Sequence, residues 1–290
     1  MASSSFAQNI SAGPPATIQR GSEHRNRYII MSGDIDSRVS DPLDGTNDSP
    51  GANDNASGMA GTIEAARILT KYKFPNSIVY VGLSGEEQGL FGGEVDGPSR
   101  QLARYVARLT DTYVTNMDAK MIYRLDRFGR GGHHKPFNDA GFPGVRIMET
   151  HENYNRQHQD IRTENGIEYG DVIEGVNFPY CAKLTGVNAI TLAALAWAPS
   201  PPQQVMIGGA VKPSTRLRWE PSTTKNLVGY KIYWRDTTAP QWQYSRYVGM
   251  KTDFTLENIV IDNYLFGVAA IAKDGSESLV VYPQTLIPRR

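Results

Sequence analysis

Through the first two-thirds of the chain, short unbroken apolar runs alternate with stretches of helical spacing. "YIIMS" (28–32), stopped by Gly33, and "SIVYVGL" (77–83) are short apolar runs rich in β-branched and aromatic residues, the pattern of strands buried on both faces. Between them, Ile63, Ala66, Arg67, Leu69 and Tyr72 recur at helical spacing, and Pro75 follows the end of that helix. "SRQLARYVARLTDTY" (99–113) predicts an amphipathic helix, "KMIYRL" (120–125) a strand, "HKPFNDAG" (134–141) a short helix and "PGVRIME" (143–149) a further strand. The stretch from Tyr169 to Ala198 ends in "AITLAALAWA", which is too short to span a bilayer and predicts the end of a buried helix. Strand, helix, strand in this order predicts an α/β domain with a mainly parallel sheet and flanking helices over residues 28–198. Its working residues are expected beyond the strand ends.

At "PSPPQQ" (199–204) the period changes. "STRLRWEPS", "LVGYKIYWRDT", "QYSRYVG", "DFTLENI" and "NYLFGVAAIAKDGSES" alternate in strand fashion with turn residues between them, which predicts an all-β sandwich over 203–290. Residues 1–27 are rich in Ser, Gly and Pro and predict a flexible tail. They lack the basic start and apolar centre of a secretory signal.

Composition narrows the functional classes. The 290 residues are 40% hydrophobic, enough for a sizeable core, and 30 basic residues balance 30 acidic ones. With no net positive field, nucleic acid and anionic membranes are poor candidate partners. The single cysteine, Cys181, allows neither an internal disulfide nor a thiolate metal cluster.

The chemistry gathers at the predicted strand ends. Asp34 and Asp36 follow the first strand, Asp54 lies in "PGANDNASG", and Glu86 and Glu87 follow the second strand in "SGEEQGL". Taken singly, each has an ordinary reading: Asp34 and Asp36 as turn caps, Asp54 as a helix N-cap, the glutamates on a solvated loop. Taken together, adjacent carboxylates repel and are costly to desolvate, and a divalent cation resolves the repulsion.

In order and spacing, "GDIDSR", "SPGANDNASG", "AARIL", "GLSGEEQGLFG" and "HENYNRQHQD" resemble the co-catalytic zinc aminopeptidases of metallopeptidase family twenty-eight. The resemblance implies two zinc ions, a peptide substrate, and hydrolysis of N-terminal residues by a metal-activated water. It makes Asp54 the carboxylate bridging the metals, Glu87 and His158 terminal ligands, Glu86 the general base and Asp36 a carboxylate orienting a ligand. His133 and His134, on the Gly-rich loop "GRGGHHKPF", are expected behind the ligands or against the substrate, with a structural loop as the competing reading; Arg127 and Arg130 are read as solvated loop residues, with neutralisation of a substrate carboxylate or the tetrahedral intermediate as the alternative. The resemblance also implies an extracellular or periplasmic setting.

Two departures stand out. The family's first histidine ligand is replaced by Asp34, a residue type that zinc accepts. After Gly93 the family continues through a helix and a buried strand ending in an aspartate ligand; here Gly93 runs into "EVDGPSRQLARYV", so that unit is missing. Asp118 precedes the "KMIYRL" run, whereas Asp126 ends it and is the candidate replacement. A catalytically impaired relative acting as a binding protein, and a glutaminyl-cyclase-like acyl transfer, are the alternatives on the same fold. The C-terminal sandwich resembles a fibronectin type III domain, with Trp219 and Tyr230 in its core and Tyr264 as its tyrosine corner, and is expected to serve as a spacer or to meet a protein or surface partner.

Overall fold

The computed structural model describes residues 16–35, 37–40, 46–83, 97–122 and 131–288. They form two compact units that divide at Ala196 and Trp197.

The first unit is organised around β3 (Asn76–Leu83), every residue of which is buried but the last. A strand inside a sheet with both faces covered reads as a continuous apolar run, which is why "SIVYV" shows no alternation. β2 (His24–Asp34) pairs with it in parallel, from Ile29 opposite Ile78 to Asp34 opposite Leu83. β1 (Ala16–Gln19) pairs with the other edge of β3 in antiparallel fashion, giving the order β1-β3-β2. Among the described residues the sheet is thus mixed, with one parallel and one antiparallel pairing. β1 also shortens the expected flexible tail: from Ala16 the chain belongs to the sheet, and Gly21 N donates to Ser77 Oγ at 3.0 Å. Thr17 and Ile18 of this edge strand are exposed, so no apolar period marks it in the sequence.

One face of β3 is covered by α1 (Gly58–Leu69) and α4 (Phe178–Trp197), the latter following α2 (Pro98–Tyr113) and α3 (His134–Asp139) in the chain. Ala65 and Leu69 of α1, Leu192 and Ala196 of α4, and Phe74 close over Ile78 and Tyr80. The fully buried Asn76 at the start of β3 donates from Nδ2 to the carbonyl of Ala196 at 2.9 Å, holding α4 against the sheet. Tyr80 donates its hydroxyl to Gln19 Oε1 of β1 at 3.1 Å, and burial pushes that phenol up to about 12. Gly33 allows α1 to approach the end of β2, because a Cβ there would lie 2.8 Å from the Gly58 carbonyl carbon and the Met59 nitrogen.

One expected strand does not form, and a second is described only in part. Residues 143–149 are not in strand conformation, nor are Lys120–Ile122, the described part of the "KMIYRL" run. A β-branched run becomes a strand only where an edge satisfies its N–H and C=O groups. Among the described residues neither segment joins the outer edge of β1 or of β2. Between α3 and α4, an unforeseen hairpin joins β4 (Arg162–Glu164) to β5 (Ile167–Tyr169). Its turn residues, Asn165 and Gly166, both have positive φ, as a two-residue type I′ turn requires.

The second unit is a sandwich of two sheets. One has the order β10-β7-β6-β12 and the other β11-β8-β9. The strands are β6 (Gln203–Gly208), β7 (Thr215–Glu220), β8 (Leu227–Asp236), β9 (Tyr244–Gly249), β10 (Asp253–Leu256), β11 (Tyr264–Ala272) and β12 (Thr285–Leu286). Strict alternation in β7 sends Leu217 and Trp219 inward, where they meet Tyr230, Ile232, Phe266 and Val268. α2 through Tyr105 groups with this unit rather than with the first: Arg104 Nε donates to the Pro240 carbonyl at 2.8 Å, and Tyr105 donates its hydroxyl to the Glu277 carbonyl.

The sandwich's buried hydroxyl tie is made by Tyr230, which accepts from Ser222 N at 2.8 Å, whereas the Tyr264 ring lies edge-on between Tyr244 and Phe266. Replacing Tyr230 with Phe is expected to destabilise the sandwich by about 1–2 kcal/mol, because it leaves the Ser222 N–H without its acceptor. Urea unfolding of the two proteins measures it; coincident transitions would mean that the hydroxyl contributes nothing.

Candidate metal centre

Four segments, among them the loop before α3 that carries His133, bring acidic and imidazole groups together at the carboxyl end of β2. Asp34 is the last residue of that strand and is buried. Asp54 and Asn55 sit in a wide turn, Ala52–Ser57, whose backbone leaves helical geometry at these two residues and whose Asp54–Asn55 peptide is cis. His158 lies on the segment before the β4–β5 hairpin and holds a left-handed backbone, φ 55°. For a non-glycine residue this conformation is uncommon, and such residues concentrate at functional sites.

The side chains form two carboxylate–imidazole pairs. Asp54 Oδ2 is 3.0 Å from His158 Nε2, and the same oxygen accepts a short hydrogen bond from Gln157 Nε2. Asp34 Oδ1 is 2.6 Å from His133 Nδ1. Asn55 links the second pair to α1: its Nδ2 donates to Asp34 Oδ2 at 2.8 Å while its Oδ1 accepts from Gly58 N at 2.8 Å. Burial works to raise the Asp54 carboxyl. The hydrogen bonds from His158 and Gln157 and the charges of His158 and Arg146 outweigh it and hold the group at about 2, below its ordinary 3.8.

Asp171 fixes the Asp54 turn. It is 6% exposed, and its carboxylate accepts from Asn53 N and Asn53 Nδ2 at 3.0 Å and from Asp54 N at 2.8 Å. Neither it nor Gln157 stands out in the sequence, because "EYGDVIEG" and "YNRQHQD" carry no spacing that ties them to residue 54. Replacing Asp171 with Asn is expected to weaken zinc binding about 10–100-fold, the usual cost of losing a group that orients a ligand. The amide would turn a donor towards donors. Competition with a zinc chelator measures this; unchanged affinity would show that the turn holds its shape without the carboxylate.

The expected site residues thus fall into three groups. Asp34, Asp54 and His158 are brought to one end of the sheet. His134 opens α3, but the contact with Asp34 is made by its neighbour His133. Glu86, Glu87, Asp36, Asp126 and Arg130 lie outside the described residues. Among the described residues no three His, Cys, Asp or Glu side chains converge on one point. The donors present nonetheless fit zinc, which takes imidazole nitrogen and carboxylate oxygen. Moreover, His133 Nε2 is buried and has no hydrogen-bond partner among the described residues.

The model of peptidase family M28 matches residues 16–123. A probable zinc metalloprotease of Leptosphaeria maculans is 38% identical over 331 residues, covering 92% of this chain and 76% of its own. One from Pyrenophora tritici-repentis is 36% identical, covering 91% of this chain and 68% of its own. The chain belongs to peptidase family M28. The first of these alignments takes in 92% of 290 residues yet extends over 331, so several dozen positions of the relative have no counterpart here. Among solved structures, the fn3 domain of the human collagen alpha-1(XX) chain is similar at 20% identity, covering 32% of this chain and 90% of that one, with a TM-score of 0.25. None of the described helices is long and apolar enough to cross a membrane.

Proposed function

We propose that the chain is a zinc-dependent peptidase that removes N-terminal residues from peptides, with Glu86 as general base. The reading is carried by the buried pairing of Asp54 with His158, two residues 104 positions apart in sequence whose family counterparts both hold zinc. Asp54, His158 and the Asp34–His133 pair would hold metal, with Glu87 and Asp126 completing the set. Bound zinc supplies Lewis acidity, polarising the scissile carbonyl and acidifying water. The chain's own residues do the rest. Asp54 stays anionic at neutral pH and so offers charge to cations without first losing a proton. Asp171 and Gln157 hold that carboxylate in one orientation. Glu86 would take the proton of the attacking water and deliver it to the departing amine.

Elemental analysis after dialysis against limiting zinc, paired with hydrolysis of aminoacyl amides before and after a chelator, tests the proposal. Bound zinc with chelator-sensitive release of the N-terminal residue is the expected result. A folded, zinc-free and inactive chain would favour the second reading, a catalytically impaired relative that binds a partner, for which the positions missing against its relatives speak. Cyclisation of N-terminal glutamine in place of hydrolysis would point to acyl transfer on the same frame.

A further inference from the structure

We propose that the metal ligand at the end of β2 is not Asp34 but His133, through Nε2, and that Asp34 serves as the carboxylate holding its imidazole. The assignment rests on the zinc-peptidase reading and refines its first coordination position.

The geometry of four groups leads to it. A neutral imidazole carries one N–H and one lone pair. Nδ1 lies 2.6 Å from Asp34 Oδ1; a carboxylate at that distance favours the tautomer with the proton on Nδ1, which leaves the lone pair on Nε2. That nitrogen is buried and has no hydrogen-bond partner among the described residues. An unsatisfied buried acceptor is unfavourable, and a cation relieves it. Asp34, by contrast, has both oxygens engaged. Oδ1 takes His133, and Oδ2 accepts from Asn55 Nδ2 at 2.8 Å. The orientation of the Asn55 amide is fixed independently, since its other end accepts from Gly58 N and must therefore be the oxygen. The side chains of His133 and Asp34 are 16% and 10% exposed, so water competes little for either.

Carboxylate, histidine and metal in series is a recurrent arrangement in which the carboxylate fixes the tautomer and raises the basicity of the ligand nitrogen. Here it would restore an imidazole to the coordination position left when aspartate replaced histidine at residue 34. His133 reaches that place because Gly131 and Gly132 precede it and α3 begins immediately after it.

The test uses the full chain, labelled with nitrogen-15 in its histidines and loaded with cadmium-113. Scalar coupling from cadmium to Nε2 of His133, in addition to that of His158, is the expected result. Zinc affinity of two variants provides a second readout, with thermal melts confirming that each folds. His133→Ala should lose more than about 100-fold in affinity. Asp34→Asn, which keeps an acceptor for the imidazole N–H, should lose about 10–100-fold. Cadmium coupled to His158 but not to His133, or an Asp34→Asn loss exceeding that of His133→Ala, would overturn the assignment while leaving the zinc-peptidase reading intact. A wild-type chain that binds no cadmium would overturn both.

Discussion

Replacing Asp54 with alanine is expected to release zinc and to reduce hydrolysis by at least about a thousandfold, equivalent to about 4 kcal/mol of transition-state stabilisation. Three groups depend on this carboxylate: His158, Gln157 and whatever cations the site holds. The backbone that presents it is anchored separately through Asp171, so the turn should survive the loss of the side chain. Metal content and aminoacyl-amide hydrolysis, measured on the same preparation, decide the matter. An Asp54→Ala protein that keeps its zinc and its activity would remove Asp54 from the metal centre. Acidification offers a further check. With the folded group at about 2 against an ordinary 3.8, the pairing contributes its full stability above pH 3.8 and loses it as pH falls through about 2. Zinc lost on mild acidification, well above that window, must therefore come from protonation of other ligands.

What the sequence revealed, and what it hid, follow from how each feature is stabilised. β3, α1 and α2 were legible because burial imposes a period on them: β3 is apolar throughout, and α1 and α2 carry apolar residues at helical spacing. β1 was not, because an edge strand with an exposed Thr17 and Ile18 owes its place to hydrogen bonds with β3, which leave no trace in residue type. "PGVRIME" fails in the opposite direction: its β propensity is real, but β propensity reflects fit to a pleated, packed surface and does not by itself place a segment in a sheet. The Asn165–Gly166 hairpin had an audible turn signal that the longer-range motifs overshadowed.

The candidate site divides along the same line. Asp54 and His158 were found through motifs quoted in order along the chain, and the structure brings them to 3.0 Å. Asp171 lies 117 residues from Asp54, and its role consists of accepting backbone and amide N–H groups, a function that any buried acceptor of the right reach performs. His133 was weighed together with His134, and only the loop geometry distinguishes the two. Support around a site is specified by the fold and is therefore less visible in sequence than the groups that touch the metal.

Changing Glu86 to glutamine should give the opposite signature to Asp54→Ala: zinc retained, turnover reduced about 10²–10⁴-fold, the usual contribution of a positioned general base. Glutamine keeps the shape and one carbonyl oxygen of glutamate but cannot take up a proton at neutral pH. The two adjacent glutamates of "SGEEQGL" would then have separable tasks, because Glu87→Gln is expected to lower metal content first and activity as a consequence. Single-turnover hydrolysis alongside zinc analysis distinguishes the cases. If Glu86→Gln loses zinc while Glu87→Gln keeps it and loses turnover, the two roles are exchanged. If Glu86→Gln keeps both zinc and full turnover, the proton is carried by another group, and an enzyme whose chemistry is set by "GEEQGL" is no longer the right description of this chain.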